Sequence, residues 1–309
     1  MREEAVQFGN LRSLVGIVTS AAPGHKDKPG VVLLNPGIVH RVGPGRIYVK
    51  IARALAAQGF TVLRFDFSGI GDSSVRLDNR RFEESSVDEA KAAMSFLQTT
   101  RDINHFILLG GCSGAVASLE TARADGRAVA GILINFPSRV DDEEQTSKRK
   151  DRHYYWNFAL LSLTSWRKLL TGQSDYRKIA RALSQGFKRR FVERKSASGG
   201  DQRFQALLRE LADRVQLTFI CSKGDALLGD LREAGGGEFK RLCAQGRMAC
   251  DVIPRSDHTF SSLYDQERLV DAIVKRANAA ALKQEQQARS RIVASSPVEE
   301  LFEQRQPIS

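Results

Sequence analysis

Short apolar runs and segments with a helical repeat follow each other along most of the chain. The runs at 31–35 and 105–110 are almost continuously apolar, as strands buried on both faces of a parallel sheet are. The segments at 46–60 and 114–124 have apolar positions three and four residues apart, which predicts helices with one buried face. This alternation predicts an α/β fold with a mostly parallel sheet and helices on both of its faces.

The same two patterns predict the remaining elements. Two early strands, at 4–9 and 11–20, come before any helix and are expected to form an antiparallel edge. Asp88 and Glu89 stand at the start of the helix predicted at 87–98, where the helix dipole favours acidic side chains. The other predicted elements are strands at 61–67, 128–137, 215–222 and 248–253, and helices at 238–245 and 262–283.

The alternation stops between 138 and 213, where the chain is basic and has no strand-like run. A helical block inserted after a strand of a parallel sheet is most simply a cap over the carboxyl edge of the sheet, where α/β proteins place their sites. The segment 284–309 lacks a sustained apolar face, so we expect a mobile tail there. The predicted divisions are a first part of the α/β core at 1–137, a basic helical cap at 138–213, a second part of the core at 214–283 and a tail at 284–309.

The net charge of +11 is concentrated in the predicted cap. Between Ser147 and Lys195 the chain has 14 Lys and Arg residues against 3 Asp and Glu residues, an excess equal to that of the whole chain. Such a patch attracts an acidic partner or an anionic substrate, although a solvated helix face has the same composition. No recognition helix, RNP motif or zinc finger accompanies it, so we expect no nucleic-acid partner.

The cysteines and the first residues of the chain indicate the compartment in which the protein is expected. The four cysteines have no metal-ligand spacing and form no dense framework, which is typical of a reduced, cytoplasmic protein. We expect neither a metal nor a cofactor. The segment 1–10 is polar, unlike a signal peptide, and no apolar run is long enough to span a membrane.

A sharp strand-to-helix turn is predicted where the run ending at Gly110 meets Gly111, Cys112, Ser113 and Gly114. A turn of this kind presents a nucleophile, and it needs small residues on both sides because the strand and helix backbones approach closely. One register, from Gly110 to Gly114, presents Cys112. The register shifted by one residue presents Ser113. We favour Cys112 because glycine then stands at both crowded positions.

A nucleophile of this kind needs an acid and a histidine that follow it in the chain. His258 comes directly after the last predicted strand, where its ring is expected to lie over the carboxyl edge of the sheet. Asp225 follows the strand at 215–222 and is the predicted partner of the imidazole. Asp230 is a weaker candidate for the acid, and Asp257 is too close to His258 in the chain to align with its ring.

Two backbone N–H groups are expected to hold the oxyanion of an acyl-transfer reaction. One is the N–H of Ser113, directly after Cys112, and the other is that of Ile38 in the loop after the strand at 31–35. Gly37 lets the backbone of this loop approach a substrate, and His40 in the same loop is a candidate pocket residue.

Two segments carry a resemblance to the α/β-hydrolase superfamily, which extends over roughly 3–283. The segment 61–74 has the strand, the Asp66 and the Gly-x-Gly-x-Ser turn of that superfamily, and the segment 110–115 is similar to the dienelactone-hydrolase elbow, whose nucleophile is cysteine. More narrowly, the segments 33–60, 65–74 and 112–115 look like the hydrolases associated with exosortase A systems, which occur near bacterial exopolysaccharide genes. In place of the His-Gly of common esterases this chain has Asn35, Pro36 and Gly37.

The resemblance implies a hydrolase that acts on an ester or thioester through a Cys-His-Asp triad and a covalent acyl-enzyme. The substrate would be a small-molecule or carrier-bound acyl compound. Because amines and alcohols also attack a thioester, an acyltransferase is an alternative. A hydrolase-fold protein that binds a ligand without turnover is another.

Overall fold

The computed structural model describes residues 1–21, 28–138 and 198–295. Most of the predicted cap, at 139–197, and the end of the predicted tail, at 296–309, lie outside the described residues, so both remain predictions.

The described strands form one eight-stranded sheet in the order β1-β2-β4-β3-β5-β6-β7-β8. β1 and β2 pair with each other, and β2 with β4, in an antiparallel sense, and all other pairs are parallel. The predicted fold class and the antiparallel edge are therefore confirmed. The strands are β1 (Arg2–Phe8), β2 (Leu14–Ser20), β3 (Gly30–Leu34), β4 (Val62–Phe65), β5 (Phe106–Gly111), β6 (Ala128–Ile134), β7 (Gln216–Ser222) and β8 (Met248–Ile253).

The helices differ from the predicted ones mainly in their ends. The first turn of α2 contains Glu83 and Glu84, so the prediction that Asp88 and Glu89 begin this helix was wrong. α6 continues to Ser295, into the segment predicted as a tail. Within the described residues the helices are α1 (Ile47–Ala57), α2 (Phe82–Arg101), α3 (Ser113–Ala124), α4 (Ser198–Ala212), α5 (Leu227–Ala244) and α6 (Leu263–Ser295), with short 3₁₀ helices at Asn10–Arg12 and Pro44–Arg46.

Helices cover both faces of the sheet, and this is why the central strands are apolar throughout. Along β3, Val31 and Leu33 face a core that includes α1 and α6, whereas Val32 and Leu34 face a core that includes α2, α3 and α5. Leu208 and Leu211 of α4 belong to this second core. α4, which falls within the segment predicted as a cap, therefore packs into the sheet's own core.

Candidate active site

The turn from β5 into α3 has a strained backbone at one residue. Cys112 has φ +50° and ψ −119°, a conformation that residues with a side chain rarely adopt. A Cβ added to Gly110 would collide with the backbone of Gly114, and one added to Gly114 would collide with the carbonyl groups of Leu34 and Asn35. An added Cβ at Gly111 would meet nothing closer than 3.7 Å. The two crowded glycines are thus those of the register centred on Cys112.

Ser113 is the first residue of α3, and its hydroxyl is engaged by the loop that follows β3. The Gly37 N–H donates a hydrogen bond to Ser113 Oγ over 2.7 Å. Ile38, the predicted oxyanion donor, is 70% exposed, and the side chain of His40 is exposed as well. The structure therefore brings the loop and the elbow into contact at Gly37 and Ser113.

His258 and Asp225 meet at the carboxyl edge of the sheet, as their positions after β8 and β7 predict. His258 Nδ1 is hydrogen-bonded to Asp225 Oδ2. This bond, followed by the nearby side chain of Cys112, raises the pKa of His258 to about 10. The three predicted catalytic residues thus lie close together at one edge of the sheet.

The two loops that hold this pair are packed directly on each other. The Gly224 N–H donates to the Ser256 carbonyl over 3.2 Å, and a Cβ at Gly224 would lie 2.7 Å from the same oxygen. The other two candidate acids, Asp257 and Asp230, have other surroundings. Asp257 accepts hydrogen bonds from the backbone N–H groups of Thr259 and Ser261, and Asp230 lies in the first turn of α5.

A buried ion pair orders the loop after β3. Asp66 is fully buried, pairs with the guanidinium of Arg41 and accepts a hydrogen bond from the Asp72 N–H over 3.1 Å. Asn35 Nδ2 donates to the Val39 carbonyl over 2.8 Å. A Cβ at Gly71 would collide with the Asp66 carboxylate, which explains the glycine in the segment 61–74.

Tyr48 of α1 also holds the elbow, although nothing in the sequence distinguishes it from an ordinary core aromatic. Its hydroxyl donates to the Leu34 carbonyl over 2.9 Å and accepts from the Gly111 N–H over 3.0 Å. The side chain is 2% exposed, and burial raises the pKa of the phenol. Tyr48 therefore ties the ends of β3 and β5 together beneath the strained residue.

The structure also bears on two other kinds of feature, a metal site and a membrane-spanning helix. Within the part of the chain that the structure describes, no group of His, Cys, Asp and Glu side chains is arranged to hold a metal ion. Across residues 1–21, 28–138 and 198–295, no helix has the length and apolar character needed to cross a membrane.

Comparisons with known proteins agree with this architecture. A search of curated proteins finds no match. Among solved structures, an esterase from Pyrococcus furiosus is 15% identical with a TM-score of 0.58, and the match covers 91% of each chain. An alpha-beta serine hydrolase homologue from Coxiella burnetii is 15% identical with a TM-score of 0.53, covering 89% of this chain and 96% of that one. A proline iminopeptidase-related protein from Thermus thermophilus is 19% identical with a TM-score of 0.52, covering 91% and 99%.

At these identities the structural matches establish the fold alone. The model of one protein family, described as the alpha/beta hydrolase family, matches residues 31–272, which is most of the chain and includes the elbow, Asp225 and His258. The chain belongs to the alpha/beta hydrolase family.

Proposed function

We propose that the protein is a hydrolase that cleaves an ester or thioester through Cys112, His258 and Asp225. The observation that carries the proposal is the strained backbone of Cys112 at the head of α3, with its side chain close enough to His258 to help raise the pKa of the ring. A residue held in such a conformation at an elbow presents its side chain to a substrate. The structural neighbours described as an esterase and a serine hydrolase homologue agree with hydrolysis in general.

The reaction follows from the order of the hydrogen bonds. Because Nδ1 of His258 is held by Asp225, the other ring nitrogen, Nε2, holds the proton that the Cys112 thiol gives up, and the raised pKa of His258 favours this imidazolium before the substrate binds. The thiolate attacks the carbonyl carbon of the substrate, and the imidazolium then protonates the leaving alcohol or thiol. Water, deprotonated by His258, attacks the thioester, releases the carboxylic acid and restores the thiol.

The developing oxyanion requires N–H donors at the elbow. We propose the Ser113 N–H and the Ile38 N–H, as the sequence predicts. The Gly37 N–H is a further donor from the same loop, since it already reaches the elbow by its bond to Ser113 Oγ. In this proposal the amide of Ser113 takes part in catalysis, and its hydroxyl is not the nucleophile.

The finer proposals have three different grounds. The resemblance supports membership of the exosortase A-associated group, which occurs near exopolysaccharide genes, and an acyl substrate on a small molecule or a carrier. The cysteine usage supports a cytoplasmic location, and the charge of the basic segment supports an acidic partner there. The basic segment 147–195 lies outside the described residues.

The test uses three proteins: the parent, Cys112→Ala and Ser113→Ala. Each is treated with a panel of acyl thioesters and activated esters, and adducts are detected by intact mass. We expect an acyl adduct on the parent and on Ser113→Ala and none on Cys112→Ala. An adduct that persists in Cys112→Ala and disappears in Ser113→Ala would show a serine hydrolase instead. Adding alcohols and amines to the labelled parent then separates hydrolysis from acyl transfer.

A further inference from the structure

Asn135, directly after β6, makes hydrogen bonds to both loops that hold the acid and the base. Its Oδ1 accepts from the Ser222 N–H over 2.8 Å, and its Nδ2 donates to the His258 carbonyl over 2.8 Å. The residue is 2% exposed. Its own N–H donates to the Ile220 carbonyl over 2.9 Å. One side chain therefore joins the end of β7 to the loop after β8.

The backbone groups next to Asn135 and at its bonding partners are also hydrogen-bonded to the other members of the proposed triad. The Ser222 carbonyl accepts a hydrogen bond from the Asp225 N–H over 3.3 Å, so the Ser222 backbone is also the anchor of the acid's turn. The Ile134 carbonyl, next to Asn135, accepts from the Cys112 N–H over 2.9 Å. The end of β6 thus contacts the backbone of the nucleophile, of the base and of the turn that contains the acid.

The two tasks at this position require a carboxamide. The Ser222 N–H needs an acceptor and the His258 carbonyl needs a donor, and the amide of asparagine supplies both from one planar group. The backbone at Asn135 has φ +45°, in the left-handed region, which asparagine tolerates better than most residues. The side chain and the backbone conformation therefore both favour asparagine.

We propose that Asn135 is a positioning residue that sets the distance and orientation between His258 and Asp225, and thereby aims the imidazole at Cys112. The proposal rests on the proposed function in that it takes these three residues as the working triad. Asn135 itself touches neither substrate nor reacting atoms.

Asn135→Gly removes both side-chain hydrogen bonds, and glycine adopts a positive φ without steric cost. Ser73→Ala is the matched control, because Ser73 is also buried and its hydroxyl also bridges two backbone groups, the Val15 N–H and the Asp66 carbonyl. Asn135→Ser is made as well, so that a folded variant with a shortened polar side chain is at hand if the glycine variant does not fold. The readouts are the NMR titration of the His258 ring, identified by its absence in His258→Gln, and the pH profile of Cys112 alkylation by iodoacetamide.

We expect Asn135→Gly to lower the titration midpoint of His258 by about one unit or more and to slow Cys112 alkylation at neutral pH by about tenfold. Asn135→Ser should show a smaller change in the same direction. Ser73→Ala should lose stability but keep the parent's titration and alkylation profile. A residue with a merely structural role would behave like this control.

Two results overturn the proposal, and they are distinguishable. If His258 of the parent titrates at a raised pH and the folded Asn135 variants give the same curves, Asn135 does not position the base, and the proposed function stands. If His258 of the parent titrates at the ordinary value of a histidine and Cys112 reacts as an ordinary thiol, the triad itself is wrong and both proposals fail.

Discussion

The glycines of the elbow predict which substitutions this turn tolerates. A Cβ at Gly114 would lie 2.6 Å from the carbonyl oxygen of Asn35 and closer still to that of Leu34, whereas real Cβ contacts are essentially never shorter than 3.0 Å. At Gly111 the nearest atom would be the Tyr48 hydroxyl oxygen at 3.7 Å, an ordinary contact. Gly114→Ala should therefore destabilise the protein, and Gly111→Ala should not.

The steric overlap at position 114 can be relieved only by moving the backbone, because the obstructing oxygens belong to the backbone at the end of β3. This strand is paired with β4 on one side and β5 on the other. Overpacking costs about 1–3 kcal/mol where side chains can move, so a shift of fixed backbone puts Gly114→Ala at about 3 kcal/mol or more. Gly111 has no positive φ, and a glycine-to-alanine change at such a position alters the free energy of unfolding by less than about 1 kcal/mol.

Urea unfolding of the parent and the two variants measures these differences directly, and Cys112 alkylation in each folded variant reports whether the elbow retains its shape. The pair of variants also tests the register. A turn centred on Ser113 would be flanked by Gly111 and Ala115, and Gly111 would then be the crowded position. A loss at Gly111→Ala equal to or larger than that at Gly114→Ala would refute the steric reasoning and favour the serine register.

Three further predictions concern the side chains around the elbow. Asp225→Asn removes the group that contributes most to the raised pKa of His258, so this pKa should fall from about 10 towards 6.5. At pH 8 an NMR titration should therefore find the His258 ring protonated in the parent and neutral in the variant. An unchanged titration midpoint would contradict the pairing of Asp225 with His258. Tyr48→Phe leaves two buried backbone groups without their partner, and urea unfolding should show a loss of about 1–3 kcal/mol. Arg41→Gln leaves the carboxylate of fully buried Asp66 without its cation, and the same assay should show a loss of about 3 kcal/mol. For Arg41→Gln, a loss below about 1 kcal/mol would mean that the remaining donors, the backbone N–H groups and the Asn35 amide, satisfy the carboxylate.

The strands could be predicted from the sequence because a strand buried on both faces has an almost continuous run of apolar residues. In β3 and β5 every position but the last residue of β5 is buried, so an apolar run is the expected pattern. The ends of the helices were harder to predict. α5 begins at Leu227, and its backbone is not helical at Gly236 (φ +52°, ψ −139°), the middle of three consecutive glycines, 235–237. The helix predicted at 238–245 corresponds to the part after this kink, whereas the part before it, in which Leu228 and Leu231 are buried in the core, was not predicted.

The placement of Cys112, Asp225 and His258 at one edge of the sheet could be predicted because each of them follows a parallel strand, and parallel strands end at the same edge. Tyr48 and Asn135 could not be predicted in the same way. Their hydrogen bonds join residues 63 and 123 positions apart in the chain, and neither residue lies in a local pattern that differs from an ordinary core position. Asp66 is intermediate, since its segment was identified as a motif but its bond to Arg41 was not.

The strained conformation of Cys112 requires support from its surroundings, since a residue in such a region costs of the order of 1–3 kcal/mol. Tyr48 holds the strand ends beneath the elbow, Asp66 holds the loop beside it, and Asn135 holds the loops that contain Asp225 and His258. All three side chains are buried, and each bonds to backbone groups of segments distant in the chain. The geometry of the site is therefore set by the packed core rather than by the exposed loops. A Gly-Gly-Cys turn transferred to a sheet without these three contacts should relax, and its cysteine should lose its contact with the histidine.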